Sequence, residues 1–167
     1  MIRSSLCRHA TRGVPAGKKP MFSKILVCSD GSDIAIRAAA VAAEIALKFG
    51  SQLILLNVYD PSVIPAATMG IPDGLLQTTV SAGSYAEETQ NAVEKETGEV
   101  LQKAGVQYTT HRELGHPVDR IISTAFDEKV DLIVLGSRGL GGFERLLLGS
   151  VSTGVLHHAH CPVLTVR

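Results

Sequence analysis

Four short apolar runs limit how this chain can fold. Lys24–Ser29 (KILVCS), Gln52–Val58 (QLILLNV), Asp131–Leu135 (DLIVL) and Pro162–Val166 (PVLTV) are nearly continuous in Val, Ile and Leu. Runs this short and this apolar read as strands buried on both faces, the mark of a parallel sheet covered by helices. A fifth strand, Val106–His111, has alternating character. The segments between are helical. Ser32 is an N-cap with Asp33 in the first turn, and Ile34, Ala38, Val41, Ala42, Ile45 and Phe49 recur at helical spacing up to Gly50. Gly83–Ala104 is a polar helix ended by Gly105. Pro117 opens another helix after His116, with Val118, Ile121, Ile122, Ala125 and Phe126 as its apolar face. Val151–His158 is the last. The expected fold is α/β: a doubly wound five-stranded parallel sheet, strand order 3-2-1-4-5, with helices on both faces and right-handed crossovers.

At 167 residues the chain suits one domain, and 45% hydrophobic residues with 4% aromatics and no Trp imply an aliphatic core. Sixteen basic and sixteen acidic side chains cancel, which argues against a nucleic-acid partner. No apolar run approaches the roughly 18 residues of a membrane span. Cys7, Cys28 and Cys161 are odd in number and form no CxxC, which places the protein in a reducing, cytoplasmic setting. Residues 1–20 carry Arg3, Arg8, Arg12, Lys18 and Lys19 and no acid. They read as a disordered extension, set against organelle targeting as the alternative, ahead of a domain spanning 21–167.

Ligands of such sheets bind beyond the carboxyl ends of the strands, where strand order reverses. Two loops qualify: Ser29–Ser32 after the first strand, and Gly136–Ser150 after the fourth. The second reads GSRGLGGFERLLLGS, with Gly136, Gly139, Gly141, Gly142 and Gly149 running into a helix. Glycines let backbone N–H groups approach an anion, and a helix N-terminus adds unsatisfied N–H groups and about half a positive charge. Ser150 and Ser152 add hydroxyls, and Arg138 and Arg145 are candidate phosphate contacts beside the reading of solvated loop charges. There is no GK[ST] of a Walker A loop and no GxGxxG in order, so backbone amides rather than a lysine would hold phosphate.

The pattern Gly136-x2-Gly139-x9-Gly149-Ser150 resembles the ATP-binding branch of the universal stress protein family, as do the opening KILVCSDGSD and the closing HAHCPVLTVR. The resemblance runs from Met21 to Arg167. It implies a Rossmann-like, adenine nucleotide alpha hydrolase-like fold and an adenine-nucleotide ligand: ATP, or AMP or ADP, with Mg²⁺ or Mn²⁺ held through the phosphates rather than by side chains. Asp30 matches the acid at the adenosine part and Val58 the backbone position at adenine. Gly136 and Gly139 match the approach to ribose and phosphates, and Gly149, Ser150 and Val151 the phosphate cradle. The family commonly forms homodimers, often through the final strand, here Pro162–Val166. The Tyr59–Ala82 segment, rich in Pro and Gly with a helical turn near Leu75, is its variable region.

The function so implied is a nucleotide-dependent stress-response sensor or binding module. The alternative is a slow ATPase or autophosphorylating enzyme, but phosphoryl transfer needs a positioned base, and none is evident beside the loop. His157, His158 and His160 do not share a helix face and read as helix-end residues, not metal ligands. Cys28, inside a strand, reads as an inert hydrophobe.

Overall fold

The computed structural model describes residues 20–62, 82–139 and 148–167. Residues 1–19, the Leu75 turn, Gly141, Gly142 and Arg145 lie outside the described residues. Five strands and four helices alternate: β1 (Lys24–Cys28), α1 (Asp33–Phe49), β2 (Gln52–Tyr59), α2 (Ala82–Lys103), β3 (Tyr108–Leu114), α3 (Pro117–Asp127), β4 (Leu132–Gly136), α4 (Ser150–His158) and β5 (Val163–Val166). The strands form one parallel sheet in the order β3-β2-β1-β4-β5, as expected.

The pleat sends alternate residues to opposite faces. Ile25, Val27, Leu53, Leu55, Leu132 and Val134 join α1 and Leu101 of α2 in one core. Leu26, Cys28, Ile54, Leu56, Ile133 and Leu135 join Ile121, Ala125 and Val155 of α3 and α4 in the other. Two buried faces explain the unbroken apolar runs.

Helix α1 starts and stops as its sequence signals. The Ser32 side chain accepts from the Ala35 N–H, and Gly50 closes the helix in the left-handed region at φ 67°. Its buried face is only partly the expected one: Ala38 and Ala42 are buried as expected, the larger residues are not. Ala35, Ala38, Ala39, Ala42, Ala43 and Ala46 face the core, while Ile34, Val41, Ile45 and Phe49 are only half-buried. The alanines let the helix axis approach the sheet, and the larger residues cover its flanks, Phe49 meeting Phe22 edge-on at 5.5 Å.

Two further expectations are corrected. The third strand runs to Leu114 instead of His111, in register with β2 up to Tyr59↔Leu114. As an edge strand it carries His111, Arg112 and Glu113 without burying their charge. Phe126 is not part of the α3 core face: it is 69% exposed, its ring edge-on to His160 at 5.6 Å. The buried α3 residues are Ile121, Thr124 and Ala125.

Candidate functional site

Because β1 and β4 are neighbours, the loops that leave their carboxyl ends face each other across one cavity of about 530 Å³, within the range of small-molecule sites. Its floor is apolar, from Cys28, Leu56, Val58, Leu135 and Ile121. Its rim is polar backbone and charge: Asp30 on one side; Gly136, Arg138, Gly139, Gly149, Ser150 and Val151 on the other. Every expected site residue that is described therefore borders the same space.

The β1 loop is a tight turn. Asp30 Oδ1 accepts from the Ser32 N–H (3.1 Å) and Ser32 Oγ (2.7 Å), and Ser32 Oγ accepts in turn from the Ala35 N–H (3.2 Å). Gly31 sits at φ 82°, which only glycine adopts without strain. Asp30 is thereby tied to the start of α1, with Oδ2 on the side of Gly139. A Cβ on Gly139 would overlap Asp30 Oδ2. Glycine at 139 is what allows the carboxylate and the β4 loop to lie against each other. Gly136 is also close-packed, since a Cβ there would stand 3.0 Å from Ile34 Cγ2 and from Arg138 O and 3.2 Å from the Ala35 nitrogen.

The β4 loop is pinned where its ends meet. The carbonyl of Ser137 accepts from the Gly149 N–H (2.7 Å) and from Ser152 Oγ (2.8 Å). The hydroxyl of Ser152, a possible phosphate contact in the sequence, donates to Ser137 O and Gly149 O and so holds the loop closed; the residue is 2% exposed. Helix α4 then begins with Gly149 as N-cap and no side-chain cap. The Thr153 N–H is bonded to Gly149 O, so the N–H groups of Ser150, Val151 and Ser152 precede the helical ladder. Ser150 and Val151 border the cavity. At Gly149 a Cβ would make only ordinary contacts, 3.5 Å from Arg138 Cα, so the fold does not itself demand glycine there.

Burial raises the Cys28 thiol to about 12, which leaves it protonated and unreactive near neutral pH. Among the described residues no group of three or more His, Cys, Asp and Glu side chains is placed to hold a metal ion. His158 Nδ1 instead lies 2.8 Å from the Gly154 carbonyl at the end of α4. Among the described residues no helix is long and apolar enough to cross a membrane.

Beyond the expected loop residues, Asn57 and Thr97 brace Ser29 at the head of the β1 loop. Asn57 Nδ2 donates to Ser29 O (2.8 Å), and the Ser29 and Thr97 hydroxyls share a hydrogen bond at 2.7 Å. The one available signal was polar residues inside or beside apolar runs, at Ser29 and Asn57. Nothing local marks Thr97.

Fold and site together define a doubly wound α/β protein with a crevice at the switch point of its sheet. The sequence profile of the universal stress protein family matches residues 21–167, and the chain belongs to that family. It is 36% identical over 147 residues to a universal stress protein of Methanocaldococcus jannaschii, covering 88% of this chain and 83% of the relative. Among solved structures it is similar to the universal stress protein UspA from Lactobacillus plantarum, with TM-score 0.69 and 29% identity over 87% of this chain and 97% of that one. It is also similar to a universal stress protein crystallised in complex with cAMP, with TM-score 0.62 and 26% identity over 87% of this chain and 97% of that one.

Proposed function

We propose that this protein binds ATP, or a related adenine nucleotide, in the crevice between the β1 and β4 loops, and acts as a nucleotide-dependent stress-response module. The observation that carries the reading is the pairing of an apolar floor with a helix N-terminus in one cavity. Cys28, Leu56, Val58 and Leu135 suit a flat, weakly polar base. The N–H groups of Ser150 and Val151 suit phosphate oxygens. Asp30 suits a ribose hydroxyl, and Gly136 and Gly139 leave room for the sugar and phosphate to pass close to backbone. Arg138 borders the same space and suits a phosphate oxygen. A divalent ion such as Mg²⁺ would be held through the phosphates. The similar protein crystallised with cAMP supports the choice of an adenine nucleotide.

The reading extends to a homodimer in a reducing compartment. β5 is an edge strand whose four residues are all half-buried, and an exposed apolar edge favours pairing with a second copy. Light scattering after size exclusion should give twice the chain mass.

Thermal unfolding with and without ATP tests the ligand. A hundredfold excess over Kd should stabilise the protein by about 2.7 kcal/mol. No shift with any adenine nucleotide would remove the reading.

A further inference from the structure

Every polar group of Ser29, the residue before Asp30, is held by a different neighbour. Its N–H donates to Leu56 O (3.0 Å), its carbonyl accepts from Asn57 Nδ2 (2.8 Å), and its Oγ accepts from the Gly31 N–H (3.2 Å). The fourth contact comes from far along the chain. Thr97 of α2 is 0% exposed, and its Oγ1 lies 2.7 Å from Ser29 Oγ. Helix α2 presses on the same turn once more, one helical turn earlier. A Cβ on Gly31 would stand 3.0 Å from Val93 Cγ2, and Val93 is itself buried.

Thr97 is fully buried, and Leu101, one turn along, lies in the core. A buried hydroxyl costs free energy unless it is bonded, and that of Thr97 is bonded to Ser29. Removing it leaves Ser29 Oγ buried, with the turn that carries Asp30 held from one side fewer. Asp30 makes its own contacts forward, to Ser32 and against Gly139. Ser29 carries the start of the turn from which that carboxylate projects.

We infer that Thr97 is a positioning residue of the nucleotide site: through the Ser29 hydroxyl, helix α2 sets the placement of the Asp30 carboxylate and with it the affinity for the ligand. The inference rests on the nucleotide reading of the crevice. It also makes α2 the element through which events on that face of the molecule reach the site.

The test is a double-mutant cycle on ATP affinity, with thermal unfolding measured alongside. Thr97→Val keeps the side-chain shape and removes the hydroxyl. It should weaken ATP binding about tenfold, the scale of one buried hydrogen bond. Thr97→Ser, which restores the hydroxyl, should return affinity close to wild type. In an Asp30→Ala background, Thr97→Val should cause no further loss, because coupled residues are non-additive. Ser29→Ala provides the same cycle from the other partner if Thr97→Val does not fold. Unchanged affinity in Thr97→Val, or an equal loss with and without Asp30, overturns the inference while wild-type binding leaves the nucleotide reading standing. Failure of the wild type to bind overturns both.

Discussion

The two ends of the sheet are built from the same strands and treat their polar groups in opposite ways. At the amino end the chain closes on itself. Asp131 Oδ2 accepts from the Ser23 N–H (2.7 Å) and the Lys24 N–H (3.1 Å), and Ser51 Oγ donates to Phe22 O (2.6 Å). Lys24 Nζ reaches Glu128 Oε2 at 2.9 Å, with His111 on the other carboxylate oxygen at 3.9 Å. Acid, base and backbone satisfy one another. At the carboxyl end an acid and a helix N-terminus face a cavity of about 530 Å³ instead. In a parallel sheet every strand ends on the same side, so the loops that follow the strands gather at one end of the sheet. The contrast separates residues that hold the fold from residues proposed to hold a ligand.

Substitutions at the two ends should therefore split cleanly between stability and binding. The largest effect is expected at Gly139. Gly139→Val drives a side chain into the Asp30 carboxylate, and should weaken ATP binding at least about a hundredfold, or about 2.7 kcal/mol. Calorimetry reads this, with little change in Tm because residue 139 is exposed. Asp131→Ala should do the reverse. Losing two hydrogen bonds to a carboxylate costs about 2 kcal/mol, a fall in Tm of about 4–8 °C, with ATP affinity unchanged. Loss of affinity in this variant would break the division between the ends.

The smallest effect concerns Glu128. The Lys24 hydrogen bond, then its charge, holds this carboxyl below its usual 4.5. A depressed folded value favours the native state above the unfolded pKa, and that stability is lost as pH falls through the folded value. Comparing wild type with Glu128→Gln by urea unfolding across the acid range should show a modest difference near neutrality that disappears in acid. A difference that grows as pH falls would contradict the sign.

Much of this division was legible in the sequence. The apolar runs of β1, β2 and β4 gave the buried sheet, and Gly136–Ser150 and Asp30 gave the two rims of the crevice. Three kinds of feature were hidden. Helix α1 conceals its buried face because size and depth part company: the alanines are deepest, and periodicity in Ile, Val and Phe marks the flanks. The end of β3 was misread because an edge strand tolerates charged residues that a central strand excludes. Ser152 reads as a ligand donor at a helix start, yet its hydroxyl reaches back to Ser137, a bond that depends on how the loop closes. Thr97 and Ser29 are 68 residues apart, and no local pattern joins them.

The carboxyl-end crevice is proposed to take an adenine nucleotide. Titrating the protein with ATP while following its backbone amide NMR signals tests this most directly. The largest shifts are expected at Asp30, Gly139, Ser150 and Val151, with Ser23, Lys24 and Asp131 unmoved. Shifts centred on the amino end, or none at saturating ATP, would contradict it.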